Sequence, residues 1–185
     1  MAFMINPASN PYHNLILTGH IGVGKLNIVR QIAKQVNVPY VDLDTEIQTR
    51  EGIPPDEIRQ LFGESRLRSI ENNLCRELSL QRGAVLSVNG SSLLDEVNRQ
   101  RLTASGPVLI LTCSLNEILR RLYAAQGARF HDPKVRAAAL NQIRREQQIL
   151  QLKDLPTLDT TYLTTEQAAE RAVLFWYERE TLVAV

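Results

Sequence analysis

Apolar and polar residues alternate along the chain in two distinct ways. Short runs of consecutive apolar residues are separated by longer stretches in which apolar residues recur at helical spacing. The apolar runs predict five strands, at residues 14–18, 40–44, 84–88, 108–112 and 157–159. Alternation of strands with helices is typical of βαβ units, so we predict a three-layer α/β/α fold around a mainly parallel, five-stranded sheet.

The stretches with helical spacing predict helices at residues 25–36, 45–51, 55–62, 64–81, 115–125, 135–152 and 165–179. Residues 126–133 combine Gly, Arg, His, Asp and Pro, which is typical of a mobile loop, so this segment is a candidate lid. Residues 1–13 contain no Lys or Arg and no apolar core, which predicts a loose N-terminal arm rather than a secretory signal. A chain of 185 residues is expected to form one domain over 1–185.

Charge and cysteine content exclude several classes of function. The chain has 21 basic and 20 acidic residues and no dense Lys/Arg run, so a nucleic-acid partner is not expected. No segment has the roughly 18 consecutive apolar residues of a membrane span, so we expect a cytoplasmic protein without a membrane partner, and a monomer. Cys75 and Cys113 lack metal or redox spacing and are expected to be reduced.

A glycine-rich segment, GHIGVGK at residues 19–25, lies between the first predicted strand and the first predicted helix. Glycines let successive backbone N–H groups converge on phosphate oxygens, and a lysine at this spacing reaches the β- and γ-phosphates. The segment therefore predicts a P-loop, whereas the alternative is an ordinary glycine-rich turn. His20, inside the segment, is expected to face solvent. The predicted nucleotide-binding residues are Gly19, Gly22, Val23, Gly24, Lys25 and Leu26.

Leu26 departs from the usual P-loop pattern. This position normally carries a Ser or Thr whose hydroxyl binds Mg²⁺. Phosphoryl transfer depends on Mg²⁺ to neutralise charge on the phosphates, so the loss of one ligand is expected to weaken catalysis more than nucleotide binding.

Two carboxylates, Asp42 and Asp44, follow the second predicted strand. Residues i and i+2 at the end of a strand can point toward one cleft, where a cation or hydroxyl donors would relieve their repulsion. The alternative is that Asp44 simply caps the helix that begins at Thr45.

From residue 14 to about residue 90 the chain resembles the shikimate kinases, which are small P-loop kinases of nucleoside-monophosphate-kinase-like architecture. The resemblance rests on the P-loop and on four further blocks, PYVDLD at 39–44, REGIPPDEI at 50–58, FGE at 62–64 and LRSIE at 67–71. It implies a P-loop NTPase fold and ATP-dependent phosphorylation of a hydroxyl on shikimate or a related small polar acid. It also implies ATP and Mg²⁺ as cofactors and a place in aromatic amino acid biosynthesis.

The resemblance also implies roles for single residues at the centre of the site. Asp42 would hold Mg²⁺ through water, and Asp44 would bind or deprotonate the substrate hydroxyl. Arg68 would bind the substrate carboxylate, and Arg145, or the adjacent Arg144, would provide a second carboxylate-binding arginine.

Two further arginines match the family's nucleotide-covering residues. By resemblance, Arg129 would close over the phosphates from the lid, and Arg121 would stack on adenine. Lys25, Asp44 and Arg129 are thus the expected catalytic residues. For each of these arginines the alternative is an exposed basic residue without a ligand.

A second departure follows the third predicted strand, where Asn89-Gly90-Ser91 replaces the family's triple-glycine turn. Only Gly90 keeps the expected close approach to substrate, and the side chains beside it would narrow the pocket. Two hypotheses therefore stand, a functional small-molecule kinase and a catalytically impaired nucleotide-binding or regulatory protein. An interaction domain without any ligand is a third possibility.

Overall fold

A computed structural model describes residues 11–183 and contains a parallel sheet at its centre. Within the described residues the sheet has five strands in the order β2-β3-β1-β4-β5, and every pairing is parallel. The strands are β1 (Leu15–Gly19), β2 (Tyr40–Asp42), β3 (Val85–Ser87), β4 (Val108–Thr112) and β5 (Thr157–Asp159). The predicted α/β fold class is confirmed, with strand ends that differ from the prediction by up to two residues.

Helices join the strands and cover both faces of the sheet. They are α1 (Lys25–Val36), α2 (Leu43–Glu51), α3 (Pro55–Phe62), α4 (Glu64–Leu78), α5 (Gly90–Leu94), α6 (Glu96–Ser105), α7 (Leu115–Gln126), α8 (Pro133–Glu146) and α9 (Thr165–Val183). In the described part of the chain, no helix combines the length and apolar character needed to cross a membrane.

The central strand β1 shows why three layers form. All five of its residues are buried, and successive side chains of a strand point to opposite faces. Leu15 and Leu17 pack with residues of α1 and α9, including Trp176. Ile16 packs on the other face with residues of α2, α3, α4, α5 and α6. Each face therefore has its own apolar core, and the strand termini are left for the functional site.

Three segments differ from the sequence prediction. Helices α5 and α6 were not predicted, because both are short or polar and lack a clear apolar stripe. The candidate lid is not an irregular loop, since residues Gly127–His131 form a 3₁₀ helix whose Phe130 is buried against α7 and α8. The predicted helix 135–152 ends as α8 at Glu146 and continues as a 3₁₀ helix over Gln147–Gln151.

Most of the predicted N-terminal arm, residues 1–10, lies outside the described residues. The remaining part is anchored rather than loose. The backbone N–H of His13 donates to Glu180 Oε1 at 2.6 Å, and its carbonyl accepts from the Trp176 indole at 3.1 Å. His13 therefore packs against α9.

Candidate active site

A cleft of about 1000 Å³ opens where the central strands end. We call its two parts the P-loop end and the α3 end. The P-loop end is lined by residues 21–28, by α7 and by the segment after β5. The α3 end is lined by Pro54, Pro55, Asp56, Arg59, Glu71, Asn89 and Ser91. Asp42, Asp44 and Glu146 also line the cleft and lie between the two ends.

The P-loop glycines hold conformations that other residues rarely adopt. Gly19, Gly22 and Gly24 have φ angles of 142°, 83° and 88°. A Cβ atom on Gly19 would lie 2.3 Å from the Leu111 carbonyl oxygen of the neighbouring strand, and one on Gly22 would lie 2.8 Å from Ile118. Gly24 is the N-cap of α1, so the backbone of the loop lies at the positive end of the dipole of this helix.

Lys25 begins α1 at the centre of the P-loop end. Its Nζ donates to the carbonyl oxygens of Gly19 at 2.7 Å and His20 at 3.3 Å. Burial lowers the pKa of Lys25, and the carboxylates Glu146, Asp44 and Asp42 oppose that shift. The ammonium group is thus held in the cleft close to three negative charges.

The other loop residues divide between the cleft and the interior. Val23 and Leu26 line the cleft. The prediction for His20 is wrong, because this side chain is only 1% exposed and bonds the Ile21 carbonyl. Burial lowers the pKa of His20. The loop turns this side chain inward, so it cannot face solvent.

Asp42 ends β2 and acts as the N-cap of α2. Its Oδ1 accepts from the Thr45 backbone N–H at 3.0 Å and from the Thr45 hydroxyl at 2.8 Å, and its Oδ2 accepts from the Ser87 hydroxyl at 2.7 Å. The capping role considered for Asp44 therefore belongs to Asp42. These bonds fix the orientation of the Asp42 carboxylate at the floor of the cleft.

Asp44 lies in the first turn of α2 and faces the same cleft. Its Oδ1 accepts from the Asn89 amide at 2.6 Å. Burial raises the pKa of Asp44, the Asn89 hydrogen bond opposes the shift, and the negative charge of Asp42 adds to it. A carboxylate with a raised pKa is a stronger proton acceptor than an exposed one.

Arg121 of α7 lines the P-loop end. Its guanidinium donates to Glu117 at 2.8 Å, to the Val23 carbonyl at 3.1 Å and to the Thr160 carbonyl at 2.8 Å. Hydrogen bonds from Arg120 and Arg121 lower the pKa of Glu117 to about 2. The arginine thus joins α7, the P-loop and the segment after β5.

Five residues expected at the site, Gly19 among them, do not line the cleft in this structure. Arg68 is 73% exposed on α4, and its Nε lies 3.8 Å from Glu64. Arg129 and Arg145 are also exposed. Gly90 is buried, and a Cβ on it would lie 3.0 Å from the Glu146 carbonyl oxygen, so its close approach is to α8. Its neighbours Asn89 and Ser91 line the cleft instead.

Sequence reasoning missed six charged residues that line the cleft, of which Glu146, Glu71 and Arg59 are three. Glu146 is 4% exposed and accepts from the Ile21 N–H at 2.5 Å and the Gln142 amide at 3.0 Å. Glu71 is 6% exposed, and burial together with Asp44 raises its pKa to about 7. Arg59 is the third. Glu71 belongs to the LRSIE block that carries the family resemblance, so the sequence offered a signal for it. Glu146 directly follows Arg145 and belongs to no such block, so the sequence offered no signal for it.

Comparison with known proteins gives a consistent family assignment. A shikimate kinase family model matches residues 21–176. This chain belongs to the shikimate kinase family. It is 29% identical over 166 residues to a shikimate kinase of Thermodesulfovibrio yellowstonii, covering 90% of this chain and 95% of that one. It is 34% identical to a shikimate kinase of Geobacter metallireducens over 66% of this chain and 68% of the relative.

Solved structures of shikimate kinases share the fold. The enzyme of Acinetobacter baumannii, solved in complex with shikimate, superposes with a TM-score of 0.74 at 22% identity, over 91% of this chain and 95% of that one. A gluconokinase of Sinorhizobium meliloti has a TM-score of 0.62 at 16% identity, over 95% of this chain and 98% of that one. At these identities the likeness concerns the fold.

Proposed function

We propose that this chain transfers the γ-phosphoryl group of ATP to a hydroxyl of shikimate or of a related small polar acid. The observation that carries the proposal is a single cleft that brings Lys25 and the P-loop together with Asp42 and Asp44. Membership of the shikimate kinase family supports the same reaction. The shikimate bound to the Acinetobacter baumannii enzyme makes shikimate the first acceptor to test.

The P-loop end supplies the binding of the nucleotide. Backbone N–H groups of the loop and the N-terminus of α1 would bind the phosphates, and Lys25 would leave the loop carbonyls to bind the β- and γ-phosphates. Arg121 lies beside Thr160 and Leu163 in the cleft, where it would contact the base. Most of the rate would come from positioning and electrostatics.

The oxygen donors at the floor of the cleft fit a magnesium ion carried by the nucleotide. Mg²⁺ in kinase sites is usually bound by one or two carboxylates together with substrate phosphates and water. Asp42 supplies such a carboxylate, whereas Leu26 supplies no oxygen, and the described residues contain no cluster of three acidic, His or Cys ligands. Asp42 would hold the ion, which neutralises charge on the phosphates when bound.

Asp44 would act as the base. The acceptor hydroxyl gives its proton to the Asp44 carboxylate, and the hydroxyl oxygen forms a bond to the γ-phosphorus of ATP. The bond between the γ-phosphorus and the oxygen that bridges it to the β-phosphorus breaks, which releases ADP. Arg129 is exposed on the 3₁₀ helix, so its expected role over the phosphates requires that this segment move toward the cleft.

A coupled assay of ADP release with ATP, Mg²⁺ and shikimate tests the proposal. We expect turnover on the usual kinase scale of about 1–100 s⁻¹. The variant Leu26→Ser restores a hydroxyl, and it is expected to lower the Mg²⁺ concentration needed for half-maximal rate several-fold. Nucleotide binding by calorimetry without turnover of either form would instead favour the catalytically impaired alternative. Failure to bind any nucleotide would leave only an interaction domain.

A further inference from the structure

We propose that Glu146 sets the preference of the site between ATP and ADP, because its carboxylate competes with the γ-phosphate for Lys25. This inference rests on the proposed function and concerns how tightly the P-loop end holds each nucleotide. Glu146 is the last residue of α8 and lines the cleft beside the P-loop. Arg145, the residue before it, is exposed, so the side chain that α8 turns into the cleft is a carboxylate.

The carboxylate of Glu146 is buried among neutral donors. Its Oε2 accepts from the Ile21 N–H at 2.5 Å, and its Oε1 accepts from the Gln142 amide at 3.0 Å. Within residues 11–183 no cation forms an ion pair with it. A buried carboxylate without such a partner is unfavourable, and its position at the C-terminus of a helix adds to that cost. The charge of Glu146 is therefore compensated only by cations that lie farther away.

Lys25 is the cation that Glu146 affects most directly. Burial lowers the pKa of Lys25, and nearby carboxylates oppose that shift. Glu146 opposes it more than Asp44 or Asp42 does. In contrast, Asp42 and Lys25 both change the pKa of Asp44 more than Glu146 does. Glu146 is thus the leading acidic neighbour of the phosphate-binding lysine and a minor neighbour of the proposed base.

The other carboxylates that line the cleft have partners or roles of their own. They are Asp42, Asp44, Asp56, Glu71 and Glu117. The first two take part in the proposed reaction. Asp56 is exposed and bonds Arg59, and Glu117 bonds two arginines of α7. The pKa of Glu71 is about 7, so this group is substantially protonated at neutral pH. Among the described lining residues, Glu146 is therefore the one charged carboxylate with neither an ion pair nor a role in the reaction.

Binding of ATP brings further negative charge to the same lysine. The lysine of a P-loop binds the β- and γ-phosphates, so Lys25 would turn from Glu146 to the nucleotide. Two unit charges about 4–10 Å apart near a protein surface change an equilibrium by roughly 10–1000-fold. Since ADP lacks the γ-phosphate and carries less negative charge, the repulsion from Glu146 weakens the binding of ATP more than that of ADP.

Calorimetric titration of ATP and ADP, each with Mg²⁺, into the intact chain and into Glu146→Gln tests the proposal. Glutamine has the size of glutamate and keeps both hydrogen bonds when the Gln142 amide rotates, so the charge alone is lost. We expect Glu146→Gln to bind ATP about 10-fold more tightly and ADP at most about threefold more tightly. Glu146→Asp keeps the charge and should keep the parental ratio of the two Kd values.

Two further variants separate this role from simple bracing of the loop. Gln142→Met removes one hydrogen bond of Glu146 and keeps its charge, so it should change the affinities for ATP and ADP by the same factor. Glu178→Gln removes an exposed charge of α9 and should change neither affinity. If Glu146→Gln leaves the ratio of the Kd values unchanged, or weakens the binding of ATP, the proposal is overturned.

These titrations measure nucleotide binding alone, so they separate this inference from the proposed reaction. A chain that binds ATP but does not turn over shikimate would refute that reaction, and the ratio of the Kd values would still decide the role of Glu146. If the intact chain binds neither nucleotide, binding of ATP by Glu146→Gln would support the inference. No binding of ATP by this variant would overturn it.

Discussion

The two ends of the cleft are built from different parts of the chain. At the P-loop end, one continuous segment presents backbone groups, and Leu111 and Ile118 leave no room for a side chain on Gly19 or Gly22. At the α3 end, the polar groups are side chains from α3, α4 and the segment after β3. Backbone contacts change only when the fold changes, whereas side chains change with one substitution. The structure can therefore keep nucleotide binding while the choice of acceptor varies.

The largest expected effects distinguish the loss of ATP binding from the loss of the phosphoryl-transfer step. Lys25→Met should lower kcat about 1000-fold and weaken ATP binding, because it removes the charge that binds the phosphates. Asp44→Asn should lower kcat about 100-fold or more through loss of the base and leave ATP binding unchanged. The coupled ADP assay measures the first quantity, and calorimetric ATP titration measures the second.

Matched controls exist for both substitutions. Lys34→Met removes an exposed lysine from the same helix as Lys25, and Asp154→Asn removes an exposed carboxylate before β5. Both should keep the parental rate. Equal loss of ATP affinity in Asp44→Asn and Lys25→Met would show that Asp44 contributes to nucleotide binding as well as to chemistry.

Two glycines next to the cleft, Gly19 of the P-loop and Gly90 at the start of α5, should differ in their cost of substitution. Gly19→Ala should lower the free energy of unfolding by about 3 kcal/mol or more, because its Cβ would clash with a backbone oxygen in addition to the positive φ. Gly90→Ala, with a contact of 3.0 Å, should cost about 1 kcal/mol. Urea denaturation measures both. At Gly127 φ is 56° and no atom would lie within 4 Å of an added Cβ. Gly127→Ala therefore measures the free-energy cost of the positive φ angle without a steric clash.

A further effect depends on pH and concerns the proton on Glu71 at the α3 end. Its pKa rises from 4.5 to about 7 on folding, so between these pH values the folded state keeps the proton that the unfolded state has lost. Its contribution to stability is complete below about pH 4.5 and is lost as pH rises through about 7. Glu71→Gln should therefore gain stability relative to the parent by about 1 kcal/mol per pH unit between those values.

Urea denaturation at about pH 5 and about pH 8 measures this difference. Glu57→Gln, an exposed neighbour on α3, should show no such trend. A pH-independent difference between Glu71→Gln and the parent would mean that Glu71 is ionised in the folded chain throughout this range.

Local patterns accounted for the P-loop end and for the order of most elements. The loop GHIGVGK needs only its own glycines and the flanking strand and helix, all of which are short-range features. Helix α6 was missed because Glu96–Ser105 buries only Asn98, Leu102 and Ser105, which leaves no apolar stripe to detect. The 3₁₀ helix before α8 depends on burial of Phe130, which is a tertiary contact.

The α3 end could not be derived from sequence in the same way. Adjacent residues on a helix point about 100° apart, so whether Arg145 or Glu146 faces the cleft depends on how α8 packs. The structure turns Glu146 inward and leaves Arg145 in solvent. Likewise, whether Arg59 or Arg68 reaches the cleft depends on the packing of α3 against α4.

The hydrogen bond between Glu146 and Ile21 connects the C-terminal end of α8 directly to the P-loop. The helix has 14 residues and spans about 21 Å, with one end tied to the phosphate loop and the other beginning just after the segment that carries Arg129. A displacement of Ile21 would therefore act directly on the last residue of α8, and the packing of Ala139 and Ile143 against Phe130 continues that connection toward the segment that carries Arg129.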